Sequence, residues 1–170
     1  ETGKSEGRQA RLSSGQTSRI SVRPQPADPV PATAPPTRDD HALFAELDED
    51  VFDGPVDPAL LTTYLADPRL HIVVAMDGPR LVGMCSGMHY HHPDKQPQMW
   101  VNELGVAEPW RRQGIATQLI NALGDLGRTL ACTEIWVVAD PTDMAAGFYV
   151  SLGWEREGQR LAMFTCSLTD

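Results

Sequence analysis

Between residues 99 and 130 the apolar side chains change their period once, and that change restricts the possible folds more than any other feature of the chain. MWVNELGV (99–106) reads as a strand, whereas Ile115, Ala116, Leu119, Ile120, Leu123, Leu126 and Leu130 recur at helical spacing. A strand that passes into an amphipathic helix within a few residues needs a sheet for that helix to pack on. Gly114 stands where the helix begins, and Arg111 and Arg112 precede it in a chain whose net charge is −9. The first turn of a helix carries unpaired N–H groups and the positive end of the helix dipole. Arginines added there, in an acidic chain, make sense where an anion has to sit. Gly114 admits close backbone approach, Ala116 leaves room on the first turn, and the N–H groups from Gln113 through Ile115 to Thr117 can point at a phosphate. The stretch matches neither G-x-x-x-x-G-K-[ST] nor G-x-G-x-x-G, so neither a nucleoside triphosphatase nor a dinucleotide fold follows.

The rest of the chain supplies the sheet. RISVRP (19–24) is expected as a first strand and QPADPVPATAPP as a proline-rich connection. Thr37 can cap a helix over RDDHALFAEL, and Asp57-Pro58 opens a second over ALLTTYLA. HIVVAM (71–76) and LVGMCSGMHY (81–90) pair as a hairpin across DGPR, and HHPDKQPQ is expected as a loop. EIWVVA (134–139) reads as a buried strand, DMAAGFYVSL as a short helix stopped by Gly153, and RLAMFTCSL as a closing strand. The expected class is therefore α+β, or mixed α/β, in one domain. Residues 1–18 are expected as a disordered N-terminal extension and residues 19–170 as the folded domain.

Charge is unevenly divided. Residues 1–38 hold six Lys/Arg and three Asp/Glu, whereas residues 39–170 hold eight and twenty, a net of −12. So acidic a domain argues against nucleic acid as a partner, because phosphate backbones call for a basic face. No apolar run reaches the roughly 18 residues of a membrane span, and no membrane partner is expected. The first 25 residues lack a signal-like apolar core, and Cys85, Cys132 and Cys166 lie widely spaced in apolar runs. They read as buried free thiols of a reducing compartment, and the expected location is cytoplasmic. The histidines of HYHHP (89–93) read as a surface or cleft-lip cluster, and no metal site is expected.

Two motifs carry chemistry. Arg111, Gly114 and Ala116 fit [Q/R]-x-x-G-x-[G/A], and AAGFYVSLGW (145–154) fits A-x-x-[FL]-Y-x-x-L-G-[FW]. Together, in this order and on a strand–helix–strand–helix frame, they resemble the GNAT superfamily of acetyl-CoA-dependent N-acetyltransferases over roughly residues 19–167. The resemblance implies a GNAT fold, a central, mostly antiparallel twisted sheet with helices on both faces. It also implies acetyl-CoA held by Leu104, Gly105, Val106, Arg111, Arg112, Gln113, Gly114, Ile115, Ala116, Thr117 and Tyr149. More narrowly, RRQGIATQLINAL, NELGV and VVAD leading to FYVSLG look like aminoglycoside 3-N-acetyltransferases of the gentamicin/fortimicin type. That implies a small polycationic amine as substrate, antibiotic resistance as the outcome, and a homodimer. Three departures stand: Glu103 where that group usually has Asp, a loop after Asp140 one residue shorter, and an N-terminal extension without counterpart.

Glu103 lies in a strand with apolar neighbours, an odd place for a carboxylate unless it lines a cleft. It is the expected general base, helped by Asp140, because an ammonium must lose a proton before it can attack. The resemblance makes the Tyr149 phenol the donor to the departing CoA thiolate, and a backbone N–H in 104–106 the partner of the thioester oxygen. From Asp39 to Asp57 there are eight Asp/Glu and no Lys/Arg. In the resembling family the first two helices form the lip over the acceptor site. Asp48, Glu49, Asp50 and Asp53, with Glu103, Asp140 and Asp143, are therefore the expected contacts of a polycation. Alternatives are another acceptor amine (polyamine, amino sugar or peptide), another acyl donor, or a module that binds CoA or an aminoglycoside without catalysis.

Overall fold

The computed structural model describes residues 29–30, 38–157 and 166–167. Among these residues five strands form one sheet in the order β1-β2-β3-β4-β5: β1 (Pro29–Val30), β2 (Leu70–Asp77), β3 (Arg80–His92), β4 (Lys95–Val106) and β5 (Glu134–Trp136). The first four pair antiparallel, and β5 joins β4 in parallel. The helices are α1 (Pro58–Ala66), α2 (Ile115–Thr129) and α3 (Met144–Ser151), with 3-10 segments at Arg38–Phe44 and Glu108–Trp110.

Both faces of the sheet are covered, which is why HIVVA in β2 is buried without alternation. On one face α2 lays Ile115, Leu119, Ile120 and Leu123 against Val73, Ala75, Val82, Cys85, Met99 and Val101. Burying each large apolar side chain of that stripe stabilises the fold by about 1.5–3 kcal/mol. On the other face Phe44, Val51 and Leu65 pack on Ile72, Val74, Leu81 and Met84. Asp57 caps α1 by accepting from the N–H groups of Ala59 (2.7 Å) and Leu60 (3.1 Å), with Pro58 at the first helical position.

Several expectations are corrected. The first strand among the described residues is Pro29–Val30, inside the stretch expected as a proline-rich connection. It pairs with β2 at the edge of the sheet, where proline's missing N–H costs no ladder bond. The expected strand at 19–24, the extension at 1–18 and most of the expected closing strand lie outside the described residues. The expected helix after Thr37 is a 3-10 segment, after which Leu47 bridges to Leu81 as an extra pairing beside β3. The expected loop HHPDKQPQ is mostly strand: β3 and β4 extend until His92 pairs with Lys95, leaving Pro93-Asp94 as the turn. Cys85 is buried, but Cys132 is half-buried and Cys166 exposed, against the expectation of three buried thiols; all three are free.

Two irregularities in β4 place the functional region. Ser86 pairs with Glu103 but Gly87 with Val101, so Asn102 is an extra, bulged residue. A Cβ on Gly105 would lie 2.0 Å from the Val51 carbonyl oxygen, so the 48–57 segment crosses directly over β4 there. Gly105→Ala is expected to destabilise the fold by about 1–3 kcal/mol, because backbone rather than a pliable side chain must yield. Urea unfolding measures this, and wild-type stability would mean the crossing is looser than described.

Candidate active site

The site forms where β4 and β5 part. They pair only over Gln98, Met99 and Trp100 with Glu134, Ile135 and Trp136. β4 then continues to Val106 while residues 137–139 leave strand structure. One edge of β4 from Val101 to Val106 therefore has no strand partner among the described residues.

At the end of β4 the chain turns through Glu108–Trp110 into α2. Arg112 (φ 62°) and Gly114 (φ 83°) both take the left-handed conformation, a tight turn of the kind in which successive N–H groups line an anion site. Gly114 is the N-cap of α2, and nothing lies within 4 Å of where its Cβ would be. Its glycine character thus serves φ and leaves open space beside the helix N-terminus. Arg111 Nε donates to the Val106 carbonyl oxygen (2.8 Å), and Gln113 Nε2 donates to that of Pro109 (3.0 Å). These two side chains fasten the turn to the end of β4. The guanidinium of Arg111 keeps its other N–H groups for a phosphate. Ile115 is 1% exposed, so its side chain belongs to the core and only its backbone faces the turn. Leu104 and Val106 likewise pack against the α2-side core, and Val51 covers the Gly105 Cα. All three bring backbone rather than side chain to the open edge.

Glu103 lies on the opposite face from α2, in register with Ser86. Burial pushes its carboxyl above the ordinary value, and the Asp53 charge adds to that, while the Asp53 backbone N–H pulls the other way. Raised in this way, Glu103 is a better proton acceptor than an exposed carboxylate. Tyr64, from α1, faces the same corner, and burial raises its phenol well above the ordinary value. That phenol donates to the His71 carbonyl oxygen (2.7 Å) rather than to Ser86, whose buried hydroxyl has no partner among the described residues. Tyr64 and Ser86 are the neighbours of Glu103 that the sequence missed. Tyr64 sits at helical spacing among apolar residues, and only the packing of α1 on the sheet brings it to Glu103.

The other expected acids do not converge equally. Asp53 reaches Glu103. Asp48 is tied by its N–H to the Leu81 carbonyl oxygen (3.0 Å), and its carboxylate lies 3.8 Å from Arg80. Glu49 and Asp50 are exposed in the turn between them, Asp50 at φ 66°. Asp140 is exposed and accepts from the N–H (2.8 Å) and hydroxyl (2.6 Å) of Thr142, which hold its carboxyl below the ordinary value. That makes it an exposed charge held in place by Thr142. Asp143 accepts from the Met144 N–H (2.6 Å) and caps α3. Tyr149, on α3, packs on the α2-side core between Phe148 and Trp154, each 5.2 Å away between ring centroids. Burial pushes its phenol up to about 12, so it keeps its proton at working pH. Glu103 and Tyr149 thus belong to opposite faces of the sheet.

The family model for the acetyltransferase (GNAT) family matches residues 37–154. The chain belongs to the GNAT family. It is 31% identical over 136 residues to the N-alpha-acetyltransferase RimI of Mycobacterium tuberculosis, covering 79% of this chain and 84% of that protein. The aminoglycoside acetyltransferase meta-AAC0020 from an uncultured soil metagenomic sample, solved with sisomicin, has the same fold (TM-score 0.60, 24% identity, 69% of this chain and 78% of that one). So does the aminoglycoside N-acetyltransferase AAC(6')-Iy in complex with CoA (TM-score 0.58, 21% identity, 64% and 85%). The expected GNAT fold is thereby established. As a GNAT enzyme the chain is an acetyltransferase that uses acetyl-CoA. The open left-handed turn at Arg112–Gly114 and the unpartnered edge of β4 fit that donor, whose thioester supplies the acetyl group. No helix among the described residues is long and apolar enough to cross a membrane, and none of their His, Cys, Asp and Glu groups assembles a metal site.

The raised Glu103 carboxyl has a consequence for stability. A group raised in the folded state contributes stability present at low pH and lost as pH climbs through its folded value. Glu103→Gln, fixed in the uncharged form, is therefore expected to be more stable than wild type at pH 7 and no more stable at pH 4. Urea melts at the two pH values test this, and a less stable variant at pH 7 would remove Glu103 from the desolvated corner.

Proposed function

We propose that the chain transfers acetyl from acetyl-CoA to a primary amine of a polycationic aminoglycoside, with the 3-amino group as the position. The carrying observation is the meeting of Glu103 and Asp53 beside the parted strands, behind the acidic 46–57 lip. Glu103 takes the proton from the acceptor ammonium, directly or through water, and Asp53 helps hold the cation before transfer. An N–H on the open edge of β4 within 104–106 faces the oxygen on which negative charge develops. The protonated Tyr149 phenol donates to the departing sulfur. Asp48, Glu49, Asp50, Asp140 and Asp143 contribute an attractive field rather than fixed contacts.

A second reading is favoured by the 31% identity to RimI, whose name specifies an α-amine: the acceptor is the N-terminal amine of a protein. A peptide has less use for so many carboxylates, which keeps the aminoglycoside reading first.

Thiol release from acetyl-CoA is measured with gentamicin, kanamycin, spermidine and an N-terminal peptide, and NMR of the product gives the position. Aminoglycoside turnover that falls as salt rises is expected, because exposed charges are screened over about 10 Å at 0.1 M. Turnover with the peptide alone would replace this reading with the second. With the best acceptor, Tyr149→Phe is expected to lower kcat by roughly 10²-fold with little change in KM. Unchanged turnover would return Tyr149 to a packing role.

A further inference from the structure

The half-buried tryptophans of β4 and β5 belong to neither core. Met99, Val101, Ile135 and Val137 face α2's side of the sheet, so Trp100 and Trp136 point to the other face, the one that carries Glu103. They are register partners, stacked at 5.9 Å between centroids and 21° between planes. Tyr90 stands edge-on to Trp136 at 6.5 Å and 90°. A chain of hydrogen bonds fixes this group. Trp136 Nε1 donates to the Tyr90 oxygen (3.2 Å), the Tyr90 hydroxyl donates to Gln98 Oε1 (2.6 Å), and Gln98 Nε2 donates to Glu134. An indole locked by its own N–H and by a stacked neighbour is a pre-organised aromatic surface. Its location matters equally. Trp100 precedes Glu103 by three residues on the same face, about 10 Å along the strand. Glu134 lies at the far edge, so carboxylates bracket the aromatic pair.

We propose that Trp100 and Trp136 form a stacking subsite for a ring of the acceptor, with the reacting amine at Glu103 and a second ammonium beside Glu134. This rests on the reading that the acceptor is a polycationic amine and adds that it must carry a ring. A saturated amino-sugar ring offers one C–H face to the indoles, and its ammonium groups gain from the aromatic faces as well as from the acids. A linear polyamine satisfies the charges but leaves the platform unused.

Kanamycin and spermidine separate these terms. Trp136→Ala is expected to raise KM for kanamycin about tenfold, with kcat and the KM for acetyl-CoA unchanged and spermidine unaffected. Trp136→Phe, which keeps an aromatic face, is expected to restore most of the kanamycin KM. Glu134→Gln is expected to weaken kanamycin less, and only at low salt. Equal changes for both amines, or none for kanamycin, would overturn the subsite. If the wild type acetylates neither amine, calorimetry decides in place of kinetics. Kanamycin binding that Trp136→Ala abolishes and Trp136→Phe retains upholds the platform while the transfer reading falls. Absence of kanamycin binding to the wild type overturns the platform too.

Discussion

The site depends on a strand pair that stops short. After three residue pairs β5 leaves β4, and no second strand of the described chain closes the exposed edge. An unpaired strand edge in an interior would strand its N–H and C=O groups without partners. Here it stays open among the described residues, and the bulge at Asn102 marks where β4 changes course. The candidate groups are arranged around that edge: the left-handed turn of Arg112 and Gly114 beyond its end, Glu103 on one face, Tyr149 on the other.

Holding the gap open falls to groups that do no chemistry. Arg111 and Gln113 spend hydrogen bonds on Val106 and Pro109, which fixes the turn to the strand end. Val51 lies across Gly105 and sets how closely the acidic lip approaches Glu103. Tyr64, anchored on the His71 carbonyl, fills the corner that raises the Glu103 carboxyl. The environment that raises the Glu103 carboxyl also makes its charge costly to the fold. This is the ordinary conflict between a reactive group and a stable one.

The two faces of the sheet divide the work. The face under α2 is a closed apolar core reaching Tyr149 and Trp154. The opposite face is apolar only beneath α1 and the 3-10 segment, and becomes polar and aromatic toward β5, where Ser86, Glu103, Trp100 and Trp136 lie. At the margin of the α2 face, where β2 begins, His71 Nε2 and His89 Nδ1 share a hydrogen bond of 2.7 Å. Burial pushes His71 down to about 4, so the pair is neutral and structural at ordinary pH.

The sequence alone reveals the period change at Gly114, the two motifs, the hairpin of β2 and β3, the cap of α1 and the acidic character of the lip. Each is written in residues close together in the chain, where spacing and side-chain type act locally. It could not determine that β1 is Pro29–Val30, since a two-residue edge strand has no pattern and exists only through its partner β2. Nor could it show that HHPDKQPQ continues two strands, because polar residues at a sheet margin look like a loop until their ladder is known. Among seven candidate acids, spacing gave no ranking. The tertiary structure set Asp53 beside Glu103, gave Asp48 to Arg80, Asp140 to Thr142 and Asp143 to the cap of α3. A carboxylate's role follows from which partner is nearest and how much water is excluded, and both are decided by segments far apart in sequence.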